Sequence, residues 1–102
     1  METCVYVVTE RVYKRAYHAE PWHLDRIVKV CGDYHSAVTA IRDLILQDHK
    51  TLDRFVKDLT DYTKHDPDPD YMEEGYRIIS YEKSNDHYFE SKSYRFESYV
   101  VE

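Results

Sequence analysis

A single amphipathic helical stripe lies between two β-rich stretches, and this limits the folds open to the chain. Val38, Ile41, Ile45, Leu52, Val56 and Leu59 recur at helical spacing, with Leu44 and Phe55 beside them. Plotted at about 100° per residue they fall on one side. Asp48 and His49 fall on that same side. A long helix does not normally bury polar groups, so the pattern predicts either a break near residues 48–51 or a middle that overhangs its support. The break is the preferred reading, with Thr51 capping a second helix. Gly32-Asp33 ends the preceding segment, and Ser36 is the expected N-cap of a helix starting at Ala37, its hydroxyl accepting an orphan backbone N–H. The helical pattern stops at Lys64-His65. Asp66-Pro67-Asp68-Pro69-Asp70 cannot extend it, because proline lacks the N–H and disfavours a helical predecessor.

Residues 4–13 are rich in β-branched and aromatic types and predict a strand. Residues 14–24 contain Pro21 and read as a loop or a loose hairpin end. Residues 25–31 predict a second strand, with Ile27, Lys29 and Cys31 on one side and Arg26, Val28 and Val30 on the other. Residues 76–83 predict a third, Ser84-Asn85-Asp86 a turn, and residues 87–101 one or two more strand pieces. The segment Tyr76-Arg77-Ile78-Ile79-Ser80-Tyr81 is echoed by Tyr94-Arg95-Phe96-Glu97-Ser98-Tyr99, as two similar strands in one sheet would be. The order is β-β-α-β-β. It predicts an α+β fold in which an antiparallel sheet of about four strands carries one long or broken helix on one face. The 102 residues, 42 % of them hydrophobic, suffice for one modest core and so for a single domain over residues 1–102.

The chain holds 20 acidic against 14 basic residues, a net charge of -6, which argues against general binding of a nucleic-acid backbone. Two glycines leave no material for a glycine-built phosphate loop, and no H-E-x-x-H motif is present. No apolar run reaches the roughly 18–20 residues needed to cross a bilayer, so no membrane association is expected. Met1-Glu2-Thr3-Cys4 does not read as a secretory leader. The expected location is cytoplasmic, and the expected state of Cys4 and Cys31 is the reduced thiol rather than a disulfide. No residue set points to catalysis or to a cofactor.

The acidic excess is confined to one half. Residues 1–51 hold 7 basic and 7 acidic residues, whereas residues 52–102 hold 7 basic and 13 acidic. Within the second half Asp66, Asp68, Asp70, Glu73 and Glu74 follow one another with no base between them. This cluster reads either as a solvated loop or as an acidic face that docks on a basic protein surface, its carboxylates imitating phosphates. Calcium binding by Asp66, Asp68 and Asp70 fails the EF-hand requirements for glycine and glutamate. Tyrosine supplies 11 residues. Tyr71, Tyr76, Tyr81 and Tyr88 are candidate contact residues beside the acidic cluster, because tyrosine buries large area at low entropic cost; ordinary sheet packing is the alternative. Tyr94, Tyr99, Phe89 and Phe96 extend the aromatic set. Base stacking on such a sheet is disfavoured by the local negative charge. No metal site is predicted outright. Cys4, Cys31, His35 and His23 are the zinc candidates if there is one, since Cys31 and His35 are spaced C-x3-H.

The first half resembles a group of small uncharacterised bacterial and phage proteins of β-β-α-β order. The matching residues are Val5-Tyr6-Val7-Val8-Thr9-Glu10, then Ile27-Val28-Lys29-Val30, then Tyr34-His35-Ser36 with Ala40 inside the helix. That resemblance implies the fold and transfers no catalytic residues. In general character (small, acidic, without motifs) the chain also resembles anti-CRISPR proteins. The expectation is a non-enzymatic protein-binding module, specifically a phage or mobile-element inhibitor whose acidic surface blocks a basic, nucleic-acid-binding host effector. It would act in the host cytoplasm without touching nucleic acid itself. The alternatives are a homo-oligomeric domain, such as a dimer formed by an edge strand, and a small zinc-stabilised domain.

Overall fold

In the computed structural model, which describes residues 3–101, five antiparallel strands form one sheet and one helix crosses one of its faces. Met1 and Glu2, used in the leader argument, lie outside the described residues. Strands β1 (Thr3–Ala16) and β2 (Trp22–Cys31) form a hairpin, and α1 (Tyr34–Phe55) follows. Then come β3 (Tyr62–Lys64), a 3₁₀ turn (Pro69–Tyr71), β4 (Ile78–Ser84) and β5 (Tyr88–Val101). The sheet order is β2-β1-β5-β4-β3. The α+β class and the antiparallel sheet match the sequence reading; the strand number and several boundaries do not. Among the described residues no helix is long and apolar enough to cross a membrane.

The core forms where the two longest strands meet the helix. Val8 lies opposite Phe96 and Glu10 opposite Tyr94. Residues opposite one another in an antiparallel pair share a face, so all four look toward α1. The helix meets them with Ala37, Val38, Ala40, Ile41 and Ile45, and Cys31 and Met72 close the cluster. Tyr94, Phe96, Ile41 and Ile45 are fully buried. At about 25 cal/mol per Å² of apolar surface removed from water, such side chains each contribute roughly 1.5–3 kcal/mol.

The helix differs from expectation at three points. It begins at Tyr34, and its N-cap is Asp33 rather than Ser36: the Asp33 carboxylate accepts the Ser36 backbone N–H at 2.7 Å. This bond, together with the Ser36 hydroxyl and nearby His35, lowers the Asp33 pKa, as suits an anion at a helix N-terminus. The helix is also unbroken at residues 48–51. Thr51 caps nothing; its hydroxyl donates to the Gln47 carbonyl at 3.0 Å. The polar groups on the stripe are accommodated because the sheet offers partners. Asp48 accepts from Ser80 Oγ (2.8 Å), Lys92 Nζ (2.8 Å) and Tyr94 Oη (2.6 Å). His49 Nε2 lies 2.8 Å from the Ser80 carbonyl oxygen. Lys92 Nζ also lies 3.5 Å from Glu10, which Arg26 approaches at 3.2 Å. A buried polar group costs little once it is hydrogen-bonded, so the reason for expecting a break disappears.

The helix finally ends at Phe55, well before Lys64. Leu52 is its last buried residue, and Phe55 is 73 % exposed. Past Leu52 the stripe runs off the sheet and further helix would bury nothing. Val56 turns extended, and Tyr62–Lys64 pairs with Lys83, Glu82 and Tyr81 as the fifth strand.

Two bulges reset the strand faces. Val8 lies opposite Lys29 and Thr9 opposite Ile27, so Val28 is the extra residue. Lys29 and Cys31 therefore share the helix side, while Ile27 points to the open face, correcting the simple alternation. On β4 the register shifts between Ile79 and Tyr81; Ser80 faces inward to Asp48, and the shift brings Tyr81, opposite Lys92, to the helix side as well. The loop expected over residues 14–24 is only residues 17–21, because β1 and β2 extend into it; His18 takes a φ of 66° in the turn.

Candidate functional site

Residues 65–77 connect β3 to β4 and hold most of the candidate contact residues. Pro67 and Pro69 deny this segment helix or ladder hydrogen bonds, so local bonds shape it instead. The Asp68 carboxylate accepts the Asp70 N–H at 3.0 Å and opens the 3₁₀ turn. Met72 is 2 % exposed in the core, and Tyr34 Oη donates to its carbonyl at 2.6 Å. The Ser98 N–H donates to the Glu74 carboxylate, which lowers the Glu74 pKa. Gly75, at a φ of 85°, donates its N–H to the Phe96 carbonyl at 3.0 Å. The loop is thus fastened at Met72, Glu74 and Gly75. Between and beside these points it presents Asp66, Asp68, Asp70, Tyr71, Glu73 and Tyr76 to solvent, Tyr71 at 82 % exposure and Tyr76 at 67 %.

Among the described residues some carboxylates stand beside a base and others do not, the latter including Glu20, Asp33, Asp58, Asp61, Asp86 and Glu90 as well as the acids of this loop, which differ in being clustered. Asp25, Glu10, Asp43, Asp48, Asp53, Glu82 and Glu97 each stand within ion-pair distance of a base. Among the described residues none of Asp66, Asp68, Asp70, Glu73 and Glu74 does. Asp66, Asp68 and Tyr71 line an open depression of about 280 Å³ with His65, Met72, Arg77, Ile78 and Ile79. Two side-chain nitrogens of its lining residues are covered from solvent without a hydrogen-bond partner, His65 Nε2 and Arg77 Nη2. His65 Nε2 lies 3.5 Å from Glu82 Oε1 without forming a hydrogen bond. Arg77 Nη1 reaches only Ser93 Oγ, at 3.5 Å. Burial and the neighbouring Arg11 and Arg95 lower the Arg77 pKa.

Tyr81 and Tyr88 do not join this surface. Tyr81 sits opposite Lys92 with its ring centroid 6.1 Å from that of Tyr62, and burial pushes its phenol pKa up. Tyr88 lies opposite Ala16 at the start of β5, donates to Glu90 at 2.6 Å, and has Lys83 over its ring. The zinc candidates are likewise dispersed. Cys4 faces Val100 across the β1–β5 ladder, and Cys31 faces Tyr6 across β1–β2. His23 pairs with Tyr13 on β2, eight positions from Cys31, roughly 26 Å along the strand. His35 is exposed at the start of α1. Both cysteines are free. Among the described residues no group of three or more His, Cys, Asp and Glu could hold a metal ion.

Sequence reasoning missed the Asp48–Lys92–Tyr94–Ser80 network and the unpartnered pair His65 and Arg77. The first had a signal, since two polar residues on an apolar stripe require partners. The second had none, because it depends on how a proline-shaped loop folds back on β4. Scans against models of known protein families, curated proteins and solved structures return no match. The likeness to small bacterial and phage β-β-α-β proteins therefore stands on the quoted residues alone.

Proposed function

We propose that this chain is a non-enzymatic binding module whose 65–77 loop docks on a cationic, nucleic-acid-binding surface of a partner protein. The observation that carries the reading is the set of five uncompensated carboxylates, Asp66, Asp68, Asp70, Glu73 and Glu74, next to two well-exposed tyrosines. Carboxylates held this way attract an Arg/Lys groove at long range and speed encounter. Tyr71 and Tyr76 add apolar contact area once the surfaces meet. The 280 Å³ depression contributes specificity: Asp66 and Asp68 at its rim receive a partner ammonium or guanidinium. In biological terms this is an inhibitor encoded by a phage or mobile element, working in the host cytoplasm in the manner of anti-CRISPR proteins.

The test is capture from host lysate at low and high salt. It compares the natural chain with one carrying Asp66→Asn, Asp68→Asn, Asp70→Asn, Glu73→Gln and Glu74→Gln. These changes keep an oxygen acceptor where Asp68 receives the Asp70 N–H and Glu74 receives the Ser98 N–H. A captured protein released by salt, by short duplex DNA and by the five substitutions supports docking by phosphate imitation. Capture indifferent to all three contradicts it.

A further inference from the structure

The opposite edge of the sheet carries a second surface, independent of the acidic loop. Strand β2 is outermost, and among the described residues no strand pairs with its outer edge. It contains neither Pro nor Gly, and Trp22, Leu24, Ile27 and Val30 are 50 %, 54 %, 67 % and 57 % exposed. An edge strand with exposed apolar side chains and free N–H and C=O groups is a template for another strand.

The bulge at Val28 limits the regular part of this edge to Trp22–Ile27. Across β1 the partners are Lys14 for Trp22, Val12 for Leu24 and Glu10 for Arg26, all on the helix side. His23, Asp25 and Ile27 occupy the open side. Symmetric antiparallel pairing of two copies keeps each residue opposite one of the same side. Only two centres, Leu24 and Asp25, pair five residues of this stretch with their copies. Centring on Asp25 sets a like charge directly against its copy, which is unfavourable. Centring on Leu24 sets Leu24 against Leu24, His23 against Asp25 and Trp22 against Arg26. Apolar meets apolar, an imidazole meets a carboxylate, and a guanidinium meets an indole face.

From this self-complementarity we infer that the β2 edge is a homodimer interface, two copies joining through Trp22–Arg26 about a two-fold axis at Leu24 into one ten-stranded sheet. The acidic loops then lie at the two far ends, free for a partner. Arg11 keeps its two-point grip on Asp25 (2.6 and 2.8 Å), since a carboxylate has room for a further donor.

Sedimentation velocity up to about 0.5 mM and cysteine cross-linking test the inference together, at a concentration suited to a small, weak interface. In a Cys4→Ser background, Leu24→Cys is expected to give a disulfide-linked dimer under mild oxidation, and Arg26→Cys is not. Leu24→Lys and His23→Asp, both at exposed positions, are expected to weaken association by about tenfold or more while leaving circular dichroism unchanged. A chain that stays monomeric throughout, or that cross-links better through Arg26→Cys than through Leu24→Cys, overturns it. Partner capture by the acidic loop is scored separately and does not depend on the result.

Discussion

Asp48 shows how much one side chain can decide. A carboxylate on the apolar side of a helix argues for a kink until its neighbours are known. Here Lys92, Ser80 and Tyr94 converge on it from two strands. Those partners are distant in sequence, so nothing in the local pattern announces them. Asp48→Ala is expected to cost about 2–4 kcal/mol in denaturant unfolding, because it strands the Lys92 ammonium and two hydroxyls. The Asp48→Leu, Lys92→Met double variant is expected to lose clearly less than the sum of its single changes; additive losses would mean that the network is not a unit. The tyrosines give a pH prediction. Burial, assisted by the Glu90 hydrogen bond, raises the Tyr88 phenol to about 12. Burial, assisted by the bond to Asp48, raises Tyr94 as well. A raised native pKa means that the contribution to stability is complete below the unfolded value near 10 and fades as pH climbs through the native one. Unfolding monitored from pH 9 to 12 should therefore show falling stability, with Tyr94→Phe flattening the fall.

At the level of elements, the sequence disclosed what depends on periodicity and concealed what depends on support. The strand character of residues 4–13, 25–31 and 76–83 and the helical stripe were legible, because period-2 and period-3.6 patterns are local. The end of α1 was not. Val56 and Leu59 continue the stripe, yet the sheet they would need ends at the short edge strand β3, which the chain itself forms after leaving the helix. The boundary is thus set by the width of the sheet and not by the chain's own pattern. Leu52→Ala should cost about 2–4 kcal/mol, and Phe55→Ala, three residues on, within about 0.5 kcal/mol of nothing. Comparable losses at both positions would place the helix on a longer support than the sheet provides. The N-cap was misplaced for a related reason. Asp33 and Ser36 are both capping types spaced three apart, and only the extended backbone of Asp33, at a φ of -149°, shows which one accepts.

For the molecule as a whole, what marks the 65–77 loop is the density of its acids: Asp66, Asp68, Asp70, Glu73 and Glu74 stand close together, none at ion-pair distance of a base among the described residues, whereas pairs such as Arg11–Asp25 and Lys64–Asp53 tie acids to bases over the sheet and the helix end. The acidic cluster was legible in the sequence as a run of carboxylates. Its separation from Tyr81 and Tyr88 was not, since strand pairing carries those rings to the helix side of β4 and to the far hairpin. Relief of repulsion predicts that a chain carrying Asp66→Asn, Asp70→Asn and Glu73→Gln, whose carboxylates hold no bond within the fold among the described residues, folds at least as stably as the natural one at low salt. The most direct test of the docking claim is the salt dependence of affinity for a captured partner, measured for the natural chain and for the one with all five loop acids neutralised. The account predicts a steep loss of affinity with rising salt for the natural chain, and weak binding with a shallow slope for the neutralised one. Equal affinities with parallel slopes would show that the loop's carboxylates do not make the contact.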